Sequence, residues 1–233
     1  MLFSSRHIRP TRIYVALVAA AVASFAVALP VTAQDGAGAS AVAGATKETS
    51  EAQEKAQKIS DAVAFTEMLT ERATAALTAA DKTEAEKLTD FQGVLREGLA
   101  LDYIGRIIIG DARKTMSAEQ TARYEAVFPE YITRYYADQF ADIVGRPLVV
   151  IDSRIVRRDV IVRTQFSRSE GEPISVDWRV RELKSGDQKV IDIIASGISI
   201  MIVKREEFSA YVAANGVDAL LALLEEQAGV TTG

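Results

Sequence analysis

Acid–base chemistry in this chain would have to come from carboxylates. The 233 residues include one His and no Cys, and that His, His7, lies in an N-terminal stretch that reads as an export signal. Residues 34–233 therefore contain neither side chain. This excludes Ser–His–Asp and Cys–His nucleophilic catalysis, and zinc sites of the usual ligand set. Paired-carboxylate catalysis and calcium binding remain open on composition. The nearest pairs are Glu206 with Glu207 and Asp187 with Asp192. Adjacent helical acids do not face each other, and no base or metal-ligand cluster accompanies either pair. The residues point away from bond chemistry and towards binding or structure.

Two other groups have binding chemistry. Arg157, Arg158, Arg179 and Arg181 could meet a phosphate or an acidic partner, although their polar neighbours also suit a solvated face. Tyr131, Tyr135 and Tyr136 with Trp178 have apolar bodies and polar tips. They suit either a pocket mouth or a set of core aromatics.

The elements that position these residues follow from pattern. Arg6, Arg9 and Arg12 precede an apolar run, Ile13 to Leu29, and small residues at Val31-Thr32-Ala33. Residues 1–33 are therefore expected to be a signal peptide cleaved before Gln34. Residues 34–48 are rich in Ala, Gly, Ser and Thr and are expected to form a flexible linker. The full chain has 27 basic and 32 acidic residues, a net charge of −5. Without the three arginines of residues 1–33, 24 basic residues face 32 acidic ones, a net charge of −8. So acidic a chain does not hold nucleic acid by bulk electrostatics.

Three helices are expected next, each opening on a capping box. Ser50 with Gln53 starts one that ends near Ala80. Thr83 with Glu86 starts a second that runs to Ile109, with Gly105 as a possible break. Ser117 with Gln120 starts a third, which Pro129 should kink or split. After Gly145-Arg146-Pro147 the period changes to two. Strands are expected from Leu148 to Val156, through Val160–Phe166, and from Ile174 to Arg181, with the last ones between Lys189 and Val203. A helix from about Glu206 ends at Asn215-Gly216, and another follows from Val217 to about Gln227. Short connections imply an antiparallel meander. Helices first and an antiparallel sheet afterwards make the fold class α+β. Periodicity cannot decide whether helices over the apolar sheet face make a solid core or a lined pocket.

The run from Val190 to Phe208, VIDIIASGISIMIVKREEF, carries a resemblance. Its Asp192, its Gly197-Ile198-Ser199 step, Arg205 and Phe208 resemble the closing strands and following helix of the Mla-type periplasmic phospholipid carriers, the toluene-tolerance or ABC-transporter auxiliary family. Upstream, Ile109-Gly110, Arg113-Lys114 and Ser117-Ala118-Glu119-Gln120 match in spacing, as do Tyr136 and Gly145. The chain departs from the family pattern at Arg113 and Gln188, where Trp is usual, and at Ser196, where an acid is. The resemblance spans roughly Phe91 to Gln227.

The resemblance implies a nuclear-transport-factor-2-like cone, with N-terminal helices on a curved antiparallel sheet and two C-terminal helices. It implies a single lipid-binding domain over residues 49–228 and a tail from 229 to 233. It also implies a monomeric periplasmic carrier that is not an enzyme and has no cofactor. The cargo would be phospholipid. The partners would be an inner-membrane ABC transporter with its ring of substrate-binding domains and an outer-membrane lipoprotein complex, with outer-membrane lipid asymmetry as the outcome. A hopanoid-type cargo and a lipid-free protein-interaction module are the alternatives. The cavity lining on this reading is Phe91, Val94, Leu101, Ile104 and Ile108 on one wall and Tyr124, Phe128, Tyr131 and Tyr135 on another. Val162, Phe166, Val176, Trp178, Val180 and Ile200 form the sheet side. Asp192 and Arg205 are expected to pair and pin strand to helix, and Gly197 to provide a bulge or a close backbone approach.

Overall fold

Five strands lie in the order in which they leave the chain. In a computed structural model that describes residues 38–140, 148–167 and 172–230, they are β1 (Leu148–Val156), β2 (Asp159–Phe166), β3 (Ile174–Glu182), β4 (Gln188–Ala195) and β5 (Ile198–Ser199). Each pairs antiparallel with the next. The helices are α1 (Gly38–Thr78), α2 (Glu84–Gly98), α3 (Leu101–Ile109), a 3₁₀ turn (Gly110–Lys114), α4 (Ala118–Phe140), α5 (Ile200–Asn215) and α6 (Val217–Ala228). The fold is α+β, with four helices before the sheet and two after it. The chain divides into two compact units, Met1–Gly44 and Ala45–Gly233. Of the first, only residues 38–44 are described. The expected signal peptide lies outside the described residues, as do Gly145 and the turn signals at Ser169, Glu170 and Gly171. No described helix is long and apolar enough to cross a membrane.

Local signals account for two of the helix starts. Thr83 accepts from the Glu86 amide while the Glu86 carboxylate accepts from the Thr83 amide, a complete capping box. Ser117 and Gln120 exchange the same two bonds at 3.1 and 3.0 Å. Pro129 neither ends nor splits α4, which continues to Phe140.

Other boundaries differ from expectation. Ser50 starts no helix, because α1 is already helical from Gly38, and the segment expected as a linker is helical from there on. Residues 38–48 include four alanines, the best helix formers, and extending an existing helix avoids the cost of nucleation. The second helix breaks at Leu99-Ala100 and not at Gly105. Leu99 is extended and bridges Val190, whose carbonyl accepts from the Ala100 amide at 2.9 Å. The edge of β4 thus captures two residues that would otherwise continue the helix. Gly105 stays helical because Phe128 packs on it, with a ring carbon 2.9 Å from where a Cβ would stand.

Ile200 and Ile202 are helical rather than strand residues. Ser199 caps α5 by accepting from the Ile202 amide at 3.1 Å, and this cap overrides the β preference of the Ile and Val residues that follow. Ser196 and Gly197 form the β4–β5 turn, with φ of 50° and 84°. Two positive φ values mark the type I′ hairpin. No atom lies within 4 Å of a Cβ placed on Gly197. Its role is conformational, and neither a bulge nor a close approach is involved.

One sheet face carries Val160, Val162, Phe166, Val176, Trp178, Val180, Val190 and Ile193, and joins the helices in a continuous buried cluster. The opposite face is a ladder of cross-strand charges. Arg163 lies opposite Asp177, and the Asp159 and Arg181 side chains meet across β2 and β3. Arg163 grips Asp177 at 2.6 and 2.8 Å. Arg181 grips Asp159 at 2.6 and 2.9 Å, and Arg179 adds a bond at 2.8 Å. Asp159 and Arg181 are buried. Arg179 and Arg181 are therefore engaged within the sheet.

Candidate functional site

The fifteen residues expected to line a cavity come together. Twelve of them are buried in the helix–sheet cluster: Phe91, Val94, Ile104, Ile108, Tyr124, Phe128, Tyr131, Val162, Phe166, Val176, Trp178 and Val180. Leu101, Tyr135 and Ile200 are half-buried and pack against it. Ile200 does so from the first turn of α5, where sequence periodicity had assigned it to the sheet. Helices α2, α3 and α4 present the apolar stripe of a 3.6-residue period, and β2 and β3 present one side of the pleat.

Aromatic contacts run along α4. Tyr124 and Phe128 have ring centroids 5.3 Å apart, Tyr131 and Tyr135 6.4 Å, and Tyr135 and Tyr136 6.0 Å. Tyr131 also meets Phe208 of α5 at 5.8 Å. The polar tips of Tyr124 and Trp178 have partners. Tyr124 Oη donates to the Gly105 carbonyl at 2.9 Å. Trp178 Nε1 donates to Thr164 Oγ1 at 2.9 Å, which donates on to the Val176 carbonyl. Burial pushes the Tyr124 phenol well above its ordinary value, so it stays neutral and donates. This arrangement packs apolar side chains from the helices against the sheet. Among the described residues no group of three or more His, Cys, Asp or Glu could hold a metal ion.

A cleft of about 190 Å³ opens between α3 and α4, lined by Leu101, Gly105, Tyr124, Phe128 and Pro129, with Asp102, Arg106, Arg113 and Glu125 at its polar parts. Three of the expected lining residues reach it. Its volume is below the roughly 300 Å³ at which small-molecule sites begin, so it could take part of an acyl chain but not two.

Asp192 and Arg205 do not pair. The Asp192 carboxylate accepts from Ser199 Oγ at 2.7 Å and from the Met201 amide at 3.3 Å, so it sits at the start of α5. Burial raises this carboxyl above its ordinary value, against the lowering effect of those bonds. Arg205 lies against Gly110, with Nε 3.3 Å from where a Cβ would stand. On α5, Arg205 is exposed whereas Met201, Lys204 and Phe208 point inward, which is why it cannot reach the sheet. Phe208 is buried.

The MlaC protein family matches residues 64–226, from the middle of α1 to α6. The chain belongs to the MlaC family. The matched span includes every candidate lining residue. The intermembrane phospholipid transport system binding protein MlaC of Haemophilus influenzae is 24% identical over 132 residues, which are 55% of this chain and 62% of that protein. The match thus spans less than two thirds of the curated relative. The phospholipid-binding protein from Ralstonia solanacearum, solved in complex with a phospholipid, superposes with a TM-score of 0.60 at 21% identity. That alignment covers 71% of this chain and 96% of the solved one. This likeness carries the fold: the MlaC-type arrangement of helices on an antiparallel sheet.

One residue of this region was missed by pattern reading. Lys204 lies in a run of charges, Lys204-Arg205-Glu206-Glu207, that reads as a solvated helix start, yet it is 7% exposed. The available signal was its spacing, three residues after Met201 and four before Phe208.

Proposed function

We propose that this protein is a periplasmic phospholipid carrier without enzymatic activity. It is exported on the signal of residues 1–33 and exchanges lipid between an outer-membrane lipoprotein complex and the substrate-binding ring of an inner-membrane ABC transporter. Its fold domain takes the acyl chains between the helices and the apolar sheet face. The observation that carries this reading is the single apolar cluster that joins all fifteen candidate residues across four helices and the sheet, in a chain of the MlaC family. The phospholipid in the Ralstonia relative supports it.

The physical demand is large. A two-chain lipid with about 30 methylenes would expose about 24 kcal/mol of apolar surface in water, at ~0.8 kcal/mol per CH₂. A carrier must enclose nearly all of both tails. The described lining side chains touch one another, so loading means parting the helix layer from the sheet.

Native mass spectrometry of the protein purified without detergent from a Gram-negative periplasm tests this. The expected result is a mass shift equal to a phospholipid. Folded protein that carries no lipid, and takes none from phosphatidylglycerol vesicles, would refute the reading.

A further inference from the structure

The apolar seam of α5 has a charge in its middle. The buried residues of that helix are Met201, Lys204 and Phe208, one inward stripe at spacings of three and four. The Lys204 ammonium stands 3.9 Å from the centre of the Tyr135 ring and 5.9 Å from that of Tyr131. Both tyrosines belong to the helix–sheet cluster, and Tyr131 packs on Phe208. Lys204 thus sits at the border of the proposed acyl-chain site.

Its charge is compensated differently from the other buried charges. Arg181 meets Asp159, itself 1% exposed. Asp177 is gripped by Arg163, and Asp192 by a hydroxyl and an amide. The carboxylate of Lys204 is Glu207, at 2.8 Å, one turn along the same helix and 54% exposed. Among the described residues Lys204 is the buried cation whose carboxylate stands in solvent. Burial lowers the ammonium pKa, but Glu207 and the two tyrosines more than offset this and hold it above the ordinary lysine value. The group is therefore charged at every physiological pH. Glu207 is the half of the pair that stands in solvent, so its carboxylate can rehydrate when another anion takes its place at the ammonium. The ammonium is held beside two aromatic faces, and the side of it that meets a carboxylate is the side towards solvent.

We propose that Lys204 binds the phosphate of the carried phospholipid, and that Glu207 occupies the ammonium until the lipid arrives. This rests on the carrier reading above. The exchange replaces one carboxylate with one phosphodiester, so the buried ammonium is paired both before and after loading. The acyl chains fill the cluster beyond Tyr131 and Phe208 while the phosphate stays at its edge. The site thereby favours phosphate-bearing lipids over neutral glycerolipids.

The test compares affinity for phosphatidylglycerol with affinity for diacylglycerol of the same acyl chains, using full-length processed protein. Wild type should prefer phosphatidylglycerol. Lys204→Met should lower that preference by about tenfold to about a hundredfold, the range of one hydrogen bond to a charged group, and Lys204→Arg should keep most of it. Glu207→Gln should raise phosphatidylglycerol affinity by removing the competitor. Lys204→Met should fold, since an apolar residue in place of a buried ion is commonly tolerated, and a thermal melt verifies this. A folded Lys204→Met protein with an unchanged preference would overturn the assignment while leaving the carrier reading intact. Displacement of phosphatidylglycerol by millimolar inorganic phosphate would assign the site to free phosphate and overturn it too. If wild type binds neither lipid, the carrier reading falls and takes this assignment with it.

Discussion

Replacing Asp159 with Asn leaves the shape of the charge ladder intact and removes its centre. The Asp159 side chain is 1% exposed and accepts three bonds, two from Arg181 and one from Arg179. Asn keeps one acceptor and turns a donor towards a guanidinium. Removing one partner of a buried ion pair costs about 3–5 kcal/mol. Arg179 is 30% exposed and can recover hydration, so about 2–4 kcal/mol is expected. At an m-value near 3 kcal/mol/M, the urea midpoint should fall by about 1 M. The assay is urea unfolding followed by fluorescence of Trp178, the only Trp, which is buried on β3.

pH adds a second axis. Burial pushes the Asp159 carboxyl up, but the bonds and charges of Arg181 and Arg179 outweigh this and hold it below its ordinary value. A depressed carboxyl stabilises fully above its unfolded pKa of about 3.9, and that stability is lost as pH falls through the folded pKa. Wild type and Asp159→Asn should therefore differ by the same amount from pH 7 to about pH 5. The gap should begin to narrow below about pH 4 and go on narrowing as pH falls through the folded pKa. A difference below about 1 kcal/mol at pH 7, or a gap that does not change with acid, would refute the reasoning.

Three further outcomes follow from single contacts. Gly98→Ala should destabilise by about 1–3 kcal/mol in urea titration, because a Cβ there overlaps the buried Leu69 side chain, whose Cγ would lie 3.1 Å away; an increase in stability would contradict the packing of α1 on α2. Ser196→Asn creates the Asn-Gly pair that type I′ turns prefer, and should raise the thermal midpoint by relieving the non-glycine positive φ at residue 196, with about 0.5–1 kcal/mol gained. A double-mutant cycle of Asp192→Ala with Arg205→Ala should be additive within about 0.5 kcal/mol, since the two side chains share no partner; a larger coupling would restore the ion pair.

The order of helices and strands, the meander, the capping boxes of α2 and α4 and the apolar sheet face were all legible in the chain. Each depends on residues within one or two turns, or on a period of 2 or 3.6, and such signals survive without knowledge of neighbours. The packing of the fifteen candidate residues into one cluster was legible for the same reason, since they are apolar positions of those periods. The break at Leu99-Ala100 was not, because it is made by the edge of β4, some ninety residues later. The start of α5 was read late because Ser199 and Asp192 overrule a run of β-favouring side chains. Asp192 and Arg205 were expected to pair as the two charged residues of one motif, while α5 turns Arg205 to its exposed side.

Lys204 shows the division most directly. Its charge, and the Glu207 three residues on, are written in the sequence, and from those alone it belongs in solvent. Its burial between Tyr131 and Tyr135 exists only once α4 and α5 are packed, because desolvation depends on what other segments bring to the spot. The sequence by itself determined which residues would be apolar, periodic and capped. The tertiary structure decided which charges are buried with them, and therefore where a ligand's charge could be met.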